Sequence, residues 1–268
     1  METGGNGSPF DLDRLRSHPW LADVVYHDRI ESTNDTALRL ASAHARVPLL
    51  VLARSQSAGR GRGDHRWWSS DGALTFSIAI DAASLDIPPD RLPLVSLATG
   101  LALARSLENG ASGPSYRLKW PNDVYINERK AGGVLIETAP SRPPRLVIGI
   151  GLNVNNTMRD APPEIAPRAI SLTDVVGTTV PLTDLLVDVI EGLRREYAAI
   201  AVRPAESLAA WRDRCLLTGR DVELVVGGRA VQGVCRGIDE RGAIRIATAS
   251  GEVTLVTGEV RRASGILE

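Results

Sequence analysis

Short apolar runs of strand length alternate along the chain with longer segments of helical period. Residues 24–26, 49–53, 74–80, 116–120, 124–126, 134–137 and 146–150 form the strand-like runs, bounded by polar or glycine-rich punctuation. Within 74–80, Leu74, Phe76, Ile78 and Ile80 fall on one face of an extended chain. An alanine-rich helical stretch covers 36–45, preceded by Ser32-Thr33-Asn34, whose hydroxyl and amide side chains suit an N-cap. A longer helix is predicted over 92–107, closed by Asn109-Gly110, and two more over 182–200 and 205–215. Residues 127–130 read as a turn that brings the chain back into 134–137. Strands interleaved with helices in this irregular way predict an α+β domain, a mixed sheet covered by helices.

The pattern changes after residue 216. Four short runs, 222–226, 230–235, 244–247 and 253–256, are separated by Gly227-Gly228, Asp239-Glu240-Arg241-Gly242 and Ser250-Gly251-Glu252. That spacing predicts a small all-β, barrel-like domain. The expected organisation is a flexible tail over 1–20, a large domain over 21–216 and the β-domain over 217–268.

Composition narrows the function classes. The 268 residues are 43% hydrophobic and 24% charged, with a formal net charge of −1, so no global attraction to DNA or acidic lipid is expected. The two cysteines, Cys215 and Cys235, lack Cys-x-x-Cys spacing and fit a reducing compartment. The polar N-terminus has no apolar signal-peptide core, and no apolar run approaches the roughly 18 residues of a membrane span. A cytoplasmic protein with no membrane partner is the expectation.

Three clusters carry candidate chemistry. In Gly59-Arg60-Gly61-Arg62-Gly63-Asp64-His65-Arg66-Trp67, glycines leave backbone N–H groups approachable and arginines add fixed, bidentate donors for phosphate or carboxylate. Such a loop is expected to be mobile until an anion organises it. A solvated basic loop or a nucleic-acid contact is the alternative. The second cluster, Lys119-Trp120-Pro121-Asn122-Asp123, sets a polar tip at a proline turn, and a returning strand would bring Lys130 beside Asp123. Gly132-Gly133, entering that strand, suggests close approach by a ligand or another backbone. The third, Gly149-Ile150-Gly151-Leu152-Asn153, offers a flat strand face, or reads as a bulged core strand.

In this order the clusters resemble the biotin–protein ligase family over residues 25–260. The family's Gly-Arg-Gly-Arg loop and following Trp are matched by Gly59-Arg60-Gly61-Arg62 and Trp67, and its Lys-Trp-Pro-Asn-Asp block stands intact at Lys119 to Asp123. Lys130 to Gly133 matches its Lys-x-x-Gly, Gly149 to Asn153 its Gly-x-Gly-x-Asn, and Ser32-Thr33-Asn34 the segment that touches biotin. The resemblance implies a class II synthetase-like catalytic domain with an SH3-like C-terminal module. It also implies an ATP- and magnesium-dependent enzyme that makes biotinyl-AMP and then biotinylates a lysine of a biotin carboxyl carrier domain of an acyl-CoA or pyruvate carboxylase. Within that reading, Ser32, Thr33, Asn34 and Gln56 meet the biotin ring, and Gly133, Gly149 and Gly151 wall its slot. Arg60, Gly61 and Arg62 hold the carboxylate and phosphate, Lys130 bridges carboxylate and α-phosphate, and Lys119 faces the pyrophosphate. Gly59, Arg66, Trp67, Asn122 and Asn153 fall on the nucleotide side, and Asp123 orients or deprotonates the acceptor lysine. Magnesium would arrive with the nucleotide, with no dedicated protein metal site.

Two departures from the family matter. Gly63-Asp64-His65-Arg66 puts an acid into the anion loop, and the short N-terminal segment leaves no room for the helix-turn-helix of bifunctional members, so no DNA partner is expected. The competing readings are a lipoate or octanoate ligase/transferase and a nucleic-acid-binding module.

Overall fold

A computed structural model describes residues 8–43, 46–110 and 113–266. Residues 1–7 of the expected tail, 44–45 of the expected 36–45 helix and 267–268 of the expected β-domain lie outside the described residues.

The strands of the main sheet are β1 (Asp23–Ile30), β2 (Leu49–Gln56), β3 (Leu74–Asp81), β4 (Tyr116–Lys119), β5 (Asp123–Ile126), β6 (Arg129–Ala139) and β7 (Arg145–Leu152). They lie in the order β1-β2-β3-β7-β6-β5-β4. Only β1 and β2 pair in parallel; the other neighbours are antiparallel, so the sheet is mixed. Its helices are α1 (Leu12–Arg16), α2 (Thr33–Ser42), α3 (Leu94–Gly110), α4 (Leu172–Val176), α5 (Leu182–Val202) and α6 (Pro204–Asp213).

Strand β3 explains the layering. Leu74, Phe76, Ile78 and Ile80 share one face and join the large core with α3 and α5 residues such as Leu101, Leu103, Leu186 and Leu193. Ala79, on the other face, packs with Ala37 and Ala41 of α2 in a smaller cluster. That second face also carries Thr75 and Ser77, both buried polar residues. Helix α2 starts where Ser32 Oγ accepts the Asp35 N–H, an N-cap four residues before the predicted stretch begins at residue 36.

Residues 8–20 are not a loose tail. Phe10 and Leu15 are buried in the main core. Helix α1 is held to α5 by an Arg14–Asp184 ion pair, by the Asp11 N–H donating to Thr183 Oγ1 at 2.9 Å, and by His18 Nε2 at 3.2 Å from Glu191. One short helix among charged residues spans too little sequence to reveal a period.

The second sheet has five strands rather than the expected four: β8 (Asp221–Val226), β9 (Arg229–Ile238), β10 (Ile244–Thr248), β11 (Gly251–Leu255) and β12 (Glu259–Ala263), in the order β11-β10-β9-β8-β12. The extra strand is an edge strand whose Glu259, Arg261 and Arg262 are exposed and hide its apolar positions. The two sheets are tied together by Trp120, whose indole N–H donates to the Gly242 carbonyl at 3.0 Å, and by Arg212 Nε donating to the Ile238 carbonyl at 2.9 Å. Trp120 thus anchors the neighbouring domain as well as its own turn. Among the described residues no helix is long and apolar enough to cross a membrane.

Candidate functional site

The carboxyl end of β2, the start of α2, the loop after β2, the first part of β6 and the carboxyl end of β7 surround a cavity of about 570 Å³. Ser32, Thr33, Asn34, Gln56, Arg60, Gly61, Arg62, Arg66, Trp67, Lys119, Asn122, Asp123, Lys130, Gly133, Gly149, Gly151 and Asn153 all line it. Gly59 does not, but a Cβ there would stand 2.5 Å from the Trp67 carbonyl oxygen and 2.7 Å from Gln56 Nε2. Its absent side chain is what lets the loop close on itself. The volume and the mixture of apolar wall and convergent polar groups suit a small-molecule site.

One end of the cavity is a buried polar floor. Gln56 Oε1 accepts from the Thr33 N–H at 2.7 Å and from Thr33 Oγ1 at 3.0 Å. Ser77 Oγ lies 2.9 Å from both Thr33 Oγ1 and Asn34 Oδ1, and Asn34 Nδ2 donates to Glu137 Oε2 at 2.6 Å. The Asn34 amide therefore has a fixed direction, and its oxygen lies 2.4 Å from the position a Cβ would take at residue 149. Gly149→Ala is expected to push Asn34 out of this network and cost about 1–3 kcal/mol, measured by urea unfolding; an unchanged midpoint would contradict the crowding argument.

Glycines also shape the wall. A Cβ on Gly151 would stand 2.4 Å from Trp67 Cε2, so the indole lies directly on the bare strand. Trp67 Nε1 is buried against that strand without a hydrogen-bond partner among the described residues. A Cβ on Gly132 would meet the Gly151 carbonyl at 2.7 Å, which makes it the close approach of another backbone. Gly133 instead faces the ion pair: its Cβ would be 3.2 Å from Asp123 Oδ1.

That pair is a second polar group of the cavity lining. Antiparallel pairing of β5 and β6 sets Asp123 opposite Gly133 and Tyr125 opposite Lys130, and Lys130 Nζ reaches Asp123 Oδ1 at 2.7 Å. Lys119 is buried, with its ammonium 5.9 Å from the centre of the Tyr125 ring. Asn122 is committed to the scaffold, since its Nδ2 donates to the Val134 carbonyl at 2.6 Å. Asn153 Oδ1 accepts from Asn156 Nδ2 at 3.1 Å, which leaves its own amide hydrogens as the group to offer a ligand.

The Gly-Arg loop is a tight hairpin. The Gly61 N–H donates to the His65 carbonyl at 2.7 Å and the Trp67 N–H to the Gly59 carbonyl at 2.9 Å, so those two amides are not the open anion donors that the glycine spacing predicts. The Arg60 side chain also differs from expectation. It forms a fork on Glu137, at 3.1 and 2.6 Å, and its Nη2 lies 2.7 Å from Asp35 Oδ1. Burial works against the Arg60 charge, yet Glu137 first and then Asp35 outweigh it and raise its pKa above the usual guanidinium value. Arg62 donates to the Gly258 carbonyl at 2.7 Å and to Thr257 Oγ1 at 3.2 Å, and His65 Nε2 lies 3.0 Å from Glu259 Oε1. The loop is thus fastened to the second sheet.

Sequence reasoning misses two lining segments. Ile165, Arg168 and Ala169 form a wall because the Lys130 N–H donates to the Arg168 carbonyl at 2.8 Å and the Ile170 N–H to the Lys130 carbonyl at 2.9 Å. Glu259, Val260 and Arg261 of β12 close the rim. The first segment has no strand-like pattern, and the second is masked by its charges.

Residues 26–155 match the model of the Biotin/lipoate A/B protein ligase family, and residues 218–261 match that of the Biotin protein ligase C terminal domain. The chain is 32% identical over 237 residues to the biotin–[acetyl-CoA-carboxylase] ligase of Mycobacterium tuberculosis, covering 85% of each. It is 30% identical over 243 residues to the bifunctional ligase/repressor BirA of Bacillus subtilis, covering 88% of this chain and 73% of that protein. Among solved structures it is similar to the biotin protein ligase from Aquifex aeolicus in complex with biotin and ATP, with a TM-score of 0.80 and 28% identity over 91% of this chain and 100% of the other.

Proposed function

The chain belongs to the biotin–protein ligase family, and from that premise we propose that this cavity activates biotin with ATP and delivers it to a carrier lysine. The observation that carries this reading is the convergence of the Lys119–Asp123 block, Lys130, the Gly-Arg loop and the glycine-lined strands on that one cavity. Biotin rather than lipoate is favoured by the match of residues 218–261 to a C-terminal domain described for biotin ligases.

In the first step a biotin carboxylate oxygen attacks the α-phosphorus of ATP, the bond to the β-phosphate oxygen breaks, and pyrophosphate leaves. Two anions must meet, so positioning and positive charge are the main demands. Lys130 is the group to follow the charge from carboxylate to α-phosphate, and Lys119 to meet the pyrophosphate. With Arg60 engaged by two carboxylates, the arginines available to phosphate are Arg62 and Arg66, and Arg168 extends the positive wall. Ser32, Thr33 and Gln56 present polar atoms for the biotin ring, and Gly133, Gly149 and Gly151 leave room for its flat body. Asn153 contributes amide N–H donors on the nucleotide side, where the Trp67 ring forms part of the wall.

In the second step the carrier lysine amine attacks the acyl carbon of the mixed anhydride, the acyl–phosphate bond breaks, and AMP departs. The amine must first lose a proton, and Asp123 is the carboxylate at hand once Lys130 has shifted toward phosphate. Of the described lining residues the carboxylates are Asp123 and Glu259, one paired with Lys130 and the other hydrogen-bonded to His65. Magnesium would therefore ride on the nucleotide through phosphate and water. The carrier is a biotin carboxyl carrier domain of an acyl-CoA or pyruvate carboxylase, and the setting is the cytoplasm, in keeping with two unbridged cysteines.

An ATP–pyrophosphate exchange assay tests the first step directly. Exchange that depends on biotin supports the reading; exchange with lipoate alone overturns it. The net charge of −1 also argues against a nucleic-acid role. No salt-sensitive gel shift is expected with duplex DNA, with or without biotinyl-AMP, and a sequence-specific shift at physiological salt would contradict this.

A further inference from the structure

Glu137 belongs to no motif, yet it joins the two halves of the site. It lies on β6, two and four residues beyond Leu135 and Gly133, and so on the same face of the strand as those two lining residues. One carboxylate oxygen takes the Asn34 amide at 2.6 Å, and both take the Arg60 guanidinium, at 3.1 and 2.6 Å. On the floor side, Asn34 continues through Ser77 to Thr33 and Gln56. On the loop side, Arg60 opens the hairpin in which Arg60 pairs with Arg66. A continuous chain of hydrogen bonds therefore runs from the floor of the slot to the base of the loop, with Glu137 as its middle member.

The charge balance defines what Arg60 does. One guanidinium faces two carboxylates, Glu137 and Asp35, so the cluster carries a net negative charge and would not attract a phosphate. A fork-on-fork geometry also fixes the guanidinium plane, which a mobile anion grip does not need. Arg60 is better placed to pin the loop than to bind the substrate's charge.

We propose that Glu137 is a positioning residue for the ligase reaction: by holding Asn34 and Arg60 together it ties the floor of the biotin slot to the base of the Gly-Arg loop. This rests on the reading of the cavity as a biotin-activating site. Glu137 touches no reacting atom in that scheme, so its loss acts on substrate capture rather than on bond making.

Four proteins test this: wild type, Glu137→Ala, Arg60→Ala and the double variant, each assayed for biotin-dependent pyrophosphate exchange and for biotin binding by calorimetry. Each single variant is expected to raise the KM and Kd for biotin about tenfold or more, as loss of a charge-assisted fork should, with kcat changed by less than about twofold. The double variant should bind biotin no worse than the weaker single one, because both remove the same tie. Glu137→Gln, which keeps the shape and one acceptor, should fall between wild type and Glu137→Ala, and it carries the same test if the alanine variant does not fold. Wild-type biotin affinity in Glu137→Ala or Glu137→Gln, additive losses in the double variant, or a fall in kcat at unchanged KM would each overturn the proposal. Absence of biotin-dependent exchange in wild type would instead remove the functional reading on which it stands.

Discussion

Lys130→Ala is expected to slow biotin-dependent adenylation by about a hundredfold or more while ATP binding stays close to wild type. Loss of one preorganised charged contact that strengthens as the bond forms costs about 3 kcal/mol. Such a contact lowers the rate more than it lowers ground-state affinity. The structure adds a reason for a large effect. Asp123 is largely buried and its Oδ1 lies 2.7 Å from the Lys130 ammonium. Without that ammonium the carboxylate loses the cation in direct contact with it, where two substrate anions must meet. Lys119, Arg62 and Arg66 still line the cavity and continue to attract the triphosphate. Single-turnover adenylation measured beside ATP affinity separates the two effects, and wild-type adenylation by the variant would remove Lys130 from its assigned role.

Arg62→Gly should release biotinyl-AMP and label bystander proteins. The intermediate is a reactive mixed anhydride that must be kept from water and stray amines until the carrier docks. Arg62 extends from the hairpin to the Gly258 carbonyl and Thr257, so it fastens the loop to the segment that leads into β12. It is also one of the loop arginines not already spent on a carboxylate fork. Replacing it with glycine removes a charged hydrogen bond worth about 1.5–3 kcal/mol and loosens the backbone. That energy corresponds to a roughly ten- to hundredfold faster loss of the intermediate. Adenylation itself should continue, because Lys130 is untouched. Biotin incorporated into added albumin, compared with wild type, is the readout. If the variant makes adenylate but labels albumin no faster, the grip lies elsewhere in the loop, with Arg66 the next residue to replace.

The outline of the main domain is legible because its strands carry apolar residues on a buried face, as β3 and β7 do, and because its turns carry glycine or proline. The motif residues are legible for a different reason: their chemistry demands unusual residue types, such as glycine where an indole or an amide presses on the strand. What the pattern hides are elements held by long-range partners. Helix α1 depends on Asp184 and Glu191 of α5, and β12 depends on pairing with β8. The wall from Ile165 to Ala169 exists only because the backbone of Lys130 bonds to it. Arg60 is the instructive case. The Gly-Arg spacing marks it as an anion donor, and only the fold brings up Glu137, far along the chain, to occupy that charge.

This cavity is expected to activate biotin and transfer it to a carrier lysine. Incubating the protein with biotin, ATP, magnesium and a biotin carboxyl carrier domain, then weighing the carrier, tests it in one step. A mass gain of one biotinyl group on a single lysine is expected, dependent on ATP and lost when Lys130 is replaced by alanine. A carrier of unchanged mass beside a positive control ligase, or a gain that appears only with lipoate, would contradict it.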